Sequence, residues 1–114
     1  MIQDQPPPTE GKTPVALQVI VDVLHLAGFR GDLDTGSAIE ADICDRTTLG
    51  IERYGHPLET FNGRDARIDA YQEALDLQNY LKQLCMERPS DGRAKRLYWV
   101  AMGLVWDIKE YMQP

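Results

Sequence analysis

Apolar residues recur at three- and four-residue steps in four separate stretches of the chain, and each stretch predicts a helix. The first opens at Thr13-Pro14, a capping residue followed by proline at the first helical position, and runs to about Ala27, with Gly28 as its stop. Val15, Leu17, Val19, Ile20, Val23, Leu24 and Leu26 make it apolar nearly all round, so it needs cover on several sides, most simply from a second copy of the chain. After a turn over Gly31 to Gly36, Ser37-Ala38-Ile39-Glu40 reads as a capping box that opens a second helix, ended near Tyr54 by Gly55 and Pro57. His56 to Asn62 is a connector, and Asn62 or Asp65 caps a third helix that reaches about Glu87. Arg88-Pro89-Ser90-Asp91-Gly92 breaks the chain before a last helix over about Arg93 to Tyr111. No alternating strand pattern, hairpin signal or internal repeat is present. The expected fold is all-α, a bundle of about four helices completed by oligomerisation, with a Pro-rich flexible tail over residues 1–12 and a single domain over 13–114.

Within the third stretch, Ala70, Ala74, Leu77, Leu81 and Leu84 form one stripe, expected to be a buried seam. Asp69, Glu73, Asp76 and Tyr80 form a second, one residue earlier at each step. Like charges at these spacings destabilise a helix unless something cationic lies against them. On the second helix Asp42, Asp45 and Glu52, with Leu49 between, share a side in the same way. Two acidic rows could build an oxygen-lined cage for Mg²⁺ or Mn²⁺, which also carry phosphates. The plainer alternative is that these acids are solvated, or paired with Arg46, Arg53 and Arg67. Asn62-Gly63-Arg64-Asp65 has two readings as well. One is a phosphate-binding loop at a helix start with Arg64 as a bidentate contact; the other is a capped turn.

Composition narrows the function. At 114 residues and 43% hydrophobic, the chain is globular and of single-domain size. Its net charge of −6 argues against a nucleic-acid duplex as partner but allows a metal-carried phosphate ligand. No apolar run spans a bilayer, the N-terminus lacks the pattern of a secretory signal, and a cytoplasmic location is expected. Cys44 and Cys85 lack metal spacing and read as small buried hydrophobes; His25 reads as packed in an apolar helix and His56 as part of a turn. Asp34-Thr35-Gly36-Ser37 spells the string of a small aspartic protease, an all-β enzyme, but the segment following it is helix-patterned.

Three blocks in order carry a more specific resemblance: Gly50-Ile51-Glu52-Arg53-Tyr54-Gly55-His56-Pro57-Leu58, then Phe61-Asn62-Gly63-Arg64-Asp65, then Asp69 to Leu77 with Glu73-x-x-Asp76 inside it. Together they resemble the MazG-like all-α nucleoside triphosphate pyrophosphohydrolases, in particular a group frequent in phage and prophage genomes. The similarity covers roughly residues 38 to 84. It implies a homodimer or homotetramer and Mg²⁺-dependent hydrolysis of a nucleoside triphosphate to monophosphate and pyrophosphate. It implies metal ligation by Glu73 and Asp76 together with acids of the preceding helix. There the wider family carries E-E-x-x-E, whereas this chain offers Asp42-x-x-Asp45 and then Glu52; Asp45 and Glu52 rank first and Asp42 third. Glu73, Asp45 and Glu52 are the expected catalytic carboxylates. Asn62, Arg64, Asp69, Tyr80 and Lys82 are the expected substrate contacts, with Arg64 and Lys82 neutralising the outgoing charge. The rival expectation is a non-enzymatic helical adaptor of a phage accessory locus.

Overall fold

A computed structural model describes residues 4–114. Four helices follow in order: α1 Ala16–Arg30, α2 Leu33–Tyr54, α3 Ala66–Glu87 and α4 Gly92–Met112. Among the described residues there is no strand, only an isolated antiparallel bridge between Pro14 and Glu59. The chain divides into two compact units. One, Pro6–Arg64, holds the α1–α2 hairpin; the other runs from Asp65 to Pro114, takes in Gln5 and holds the α3–α4 hairpin.

The helix type and number agree with the hydrophobic pattern, while two starts and one stop move. Helix α1 begins after Val15, not at Thr13-Pro14, because that backbone is used elsewhere. The Thr60 N–H donates to the Thr13 carbonyl at 2.9 Å, and the Val15 N–H to the Leu58 carbonyl at 3.0 Å. Farther out, the Lys12 N–H reaches the Thr60 carbonyl and the Thr9 N–H the Asn62 carbonyl, both at 2.9 Å. The segment expected to be a loose tail is therefore laid along the connector from Thr9 onward; residues 1–3 of that expectation lie outside the described residues. A pairing between segments some fifty residues apart leaves no local signature.

Helix α1 runs past Gly28 and stops at Gly31, whose φ of 65° suits a left-handed cap. Helix α2 starts four residues before the Ser37–Glu40 box, because Asp32 caps it first. The Asp32 carboxylate accepts from the Thr35 N–H at 3.0 Å and from the Thr35 hydroxyl at 2.8 Å, and these bonds hold its pKa below the ordinary carboxylate value. Gly55 closes α2 as expected, Asp65 is the one of the two expected residues that caps α3, and within the expected chain break Asp91 caps α4.

Helix packing in each hairpin rests on small residues. The buried apolar positions are Ala27, Ala74, Ala94 and Ala101. Gly36, the glycine of the protease-like string, is buried against α1: a Cβ there would lie 2.4 Å from the Ala27 Cβ. Both atoms are anchored to backbone, so only a shift of the helices relieves the clash. Gly36→Ala is expected to destabilise by about 1–3 kcal/mol. Gly50→Ala, where an added Cβ meets nothing within 4 Å, is expected to stabilise by roughly 0.5–1 kcal/mol. Denaturant midpoints of the two variants check the contrast. Large apolar side chains stay uncovered on these hairpins, among them Leu17, Phe29, Trp99 and Trp106.

Candidate functional site

The acidic rows take their positions from the two helix seams. On α2 the residues turned toward α1 are Gly36, Ile43, Thr47 and Gly50, all buried or half-buried. Asp45, Leu49 and Glu52 lie on the other side of the helix and Asp42 at the margin next to α1, and all four are exposed. On α3 the seam toward α4 is Tyr71, Ala74, Gln78, Leu81 and Cys85. This corrects the expected stripe, since Ala70 and Leu77 are exposed and only Ala74 and Leu81 of its central positions turn inward. The rotation carries Glu73, Asp76 and Tyr80 to the face away from α4, where all three are exposed. The stability cost of a same-sign row beside a core therefore falls away, because solvent screens exposed charges.

On the side opposite the partner helix α2 thus presents Asp45 and Glu52, and α3 presents Glu73 and Asp76. Among the described residues none of Asp42, Asp45, Glu52, Glu73 and Asp76 is ion-paired. Two of the three arginines that could have neutralised them are placed elsewhere, while Arg46 lines the same cavity as Asp42 without an ion pair to it. Arg67 pairs with Asp65 at 2.9 Å and, by donating to it, holds the Asp65 carboxyl below its usual range. The Arg53 guanidinium lies over the Tyr54 ring. All five acids offer oxygen ligands only, a set suited in chemistry to a hard divalent cation. Among the described residues no three His, Cys, Asp or Glu side chains converge as a metal site. Glu73 and Asp76 on α3 are thus a pair, and a complete site needs carboxylates from more than one helix.

The expected substrate contacts divide. Asn62 is buried in the connector. Its side-chain oxygen accepts from the Arg64 N–H at 3.2 Å, and its backbone carbonyl accepts from both the N–H and the hydroxyl of Thr9. It does not cap α3, a role taken by Asp65. The Arg64 guanidinium donates to the Pro6 carbonyl. Asp69 is half-buried and accepts from the Gln5 side-chain N–H at 2.8 Å, while the Gln5 side-chain Oε1 accepts from the Asp65 backbone N–H at 2.6 Å. Tyr80 is 68% exposed on the acidic face of α3. Lys82 is not: its ammonium sits over the Tyr98 ring of α4, 5.1 Å from the centroid, on the opposite side of α3 from Glu73. That placement corrects its expected part beside the acids. Gln5 is the neighbour that the sequence did not reveal, because a side chain sixty residues away carries no periodic signal.

The bland readings of the remaining residues change in detail. His56 is a turn residue, with Nδ1 3.0 Å from the Pro57 carbonyl and 3.5 Å from Glu59. His25 and Cys44 are exposed rather than packed, and Cys85 is half-buried. A cavity of about 430 Å³ opens between α1, α2 and the connector. Val19, Ile39, Ile43 and Leu58 give it an apolar wall, and Asp42 and Arg46 supply charged groups.

Compared with known proteins, the chain matches no family model, no curated protein and no solved structure. No helix among the described residues is long and apolar enough to cross a membrane.

Proposed function

We propose that the chain is a MazG-like, Mg²⁺- or Mn²⁺-dependent nucleoside triphosphate pyrophosphohydrolase that releases nucleoside monophosphate and pyrophosphate. One observation carries the reading: the carboxylates of the two rows are exposed and unpaired, although the chain holds arginines enough to pair them. The order and spacing of the three sequence blocks support it independently. The ligand candidates are Glu73 and Asp76 of α3 with Asp45, Glu52 and Asp42 of α2. A bound divalent ion supplies neutralisation of the phosphate oxygens and a more acidic water. Glu73, Asp45 or Glu52, whichever is not spent on ligation, takes the proton as water attacks phosphorus in line and the P–O bond to the pyrophosphate oxygen breaks.

Arg64 exchanges the Pro6 carbonyl for a phosphate oxygen, a stronger, charge-assisted partner. Asn62 holds the Arg64 backbone in place through its amide oxygen, and Asp69 is a positioning residue through Gln5. Tyr80 offers a ring face beside the acids, and the apolar cavity beside Asp42 suits a base. Lys82 has no part in this scheme. The enzyme acts on the cytoplasmic nucleotide pool, without duplex nucleic acid or membrane, as a homodimer or homotetramer. The exposed large apolar side chains favour such an assembly.

Incubating the purified chain with a panel of ribo- and deoxyribonucleoside triphosphates and Mg²⁺ tests the reading. Pyrophosphate with nucleoside monophosphate is the expected product pair. Orthophosphate with diphosphate, or no turnover of any triphosphate, contradicts it. The second reading, a helical adaptor, draws on the same uncovered aromatics, Trp99 and Trp106, and requires no metal.

A further inference from the structure

Helix α4 carries two apolar stripes. The first, Ala94, Tyr98, Ala101, Val105, Ile108 and Met112, is buried or half-buried in the seam with α3. The second lies about a quarter-turn round the helix and is uncovered: Leu97 is 52% exposed, Val100 65%, Leu104 47% and Tyr111 73%. Charge is distributed unevenly along this second stripe. Arg93 and Arg96 stand at its N-terminal end and Asp107 at its C-terminal end, and all three are exposed. None of the three has an ion-pair partner among the described residues.

We infer that this stripe is a self-complementary interface, on which α4 of a second copy packs antiparallel about a two-fold axis midway between Val100 and Leu104. A two-fold contact must match each residue with a partner drawn from the same surface. Turning α4 about that midpoint sets Val100 against Leu104 of the other copy. It also sets Arg96 and Leu97 against the other copy's Asp107, and Arg93 against its Tyr111. At the centre Val100 meets Leu104, the basic end meets the acidic end, and an arginine meets a ring face. A parallel pairing would bring arginine to arginine and Asp107 to Asp107. The arrangement of charge therefore selects both the occupant and its direction. The inference stands whether or not the chain is a hydrolase.

Charge reversal tests it, since each change acts twice in a symmetric pair. Sedimentation across micromolar concentrations is expected to show a dimer or larger even-numbered assembly for the wild-type chain. Arg96→Glu and Asp107→Arg are each expected to raise the dissociation constant at least about tenfold. The double variant, which restores the opposite charges, is expected to return to within roughly threefold of wild type. Circular dichroism must show equal helicity in all four proteins, and the rescue separates a lost contact from a damaged fold. A monomeric wild type would mean that the stripe is covered by the chain's own α1–α2 unit or by a different protein, and overturns the inference. Single variants as tightly associated as wild type, or a double variant no better than the singles, overturn it as well.

Discussion

Glu73→Gln is expected to abolish pyrophosphate release and to leave the helical circular-dichroism spectrum unchanged. The side chain is exposed on the outer face of α3 and is held by no ion pair among the described residues, so its replacement costs the fold nothing measurable. Gln keeps the volume and the helix propensity and removes only the charge. If Glu73 is a metal ligand or the proton acceptor, that charge is what the reaction needs. Loss of one such group lowers turnover by about 10²–10⁴-fold. Asp22→Asn on α1, also exposed but outside both rows, serves as the matched control and is expected to retain activity. Equal activity in Glu73→Gln and wild type would remove Glu73 from the mechanism.

Hydrophobic spacing together with caps and breakers was enough to read the four helices, each of which runs over fifteen or more residues. Two ends set by local chemistry were legible too: Gly55 sits where a left-handed stop is wanted and Asp65 where a capping carboxylate is. Errors arose wherever a distant segment competes with a local signal. Thr13-Pro14 has the form of a cap, yet the Thr13 backbone is spent on Thr60. Ser37–Glu40 has the form of a capping box, yet Asp32 begins the helix one turn earlier.

The acidic rows were legible as rows, since like residues at three- and four-residue steps must share a side. Which side was not, because α3 has enough apolar residues for two candidate seams. The choice between Ala70–Leu77–Leu84 and Tyr71–Gln78–Cys85 depends on α4, whose Met102, Val105 and Lys109 lie about Tyr71 and Gln78. A half-buried glutamine and tyrosine in a seam run against a reading by hydrophobicity alone. Lys82 was misplaced for the same reason: once the seam rotates, its stem follows α4 and its ammonium finds Tyr98. The strap from Gln5 to Thr9 explains why the Asn62–Arg64 loop reads equally well as a turn or as a phosphate site. Its groups are satisfied within the chain, by partners that a phosphate could replace.

The second large effect concerns metal. A native state that binds a divalent ion gains stability by mass action, about 2.7 kcal/mol when the free ion is a hundred times its dissociation constant. For a chain of this size that gain moves the melting midpoint by on the order of 10 °C. Exposed carboxylates of one sign also repel each other, so removing Glu73 or Asp45 alone could stabilise the metal-free protein slightly. The informative quantity is accordingly the shift on adding metal, protein by protein, and not the midpoint itself. Asp22→Asn is expected to keep the full shift, while Glu73→Gln and Asp45→Asn are each expected to lose most of it.

The most direct test is therefore the thermal unfolding midpoint of the wild-type chain with and without millimolar Mg²⁺ or Mn²⁺, at constant ionic strength. A rise on the order of 10 °C that Glu73→Gln and Asp45→Asn both diminish is the expected result. A midpoint indifferent to either ion, or a rise that survives both substitutions, would contradict the claim that the α2 and α3 carboxylates are there to hold a metal.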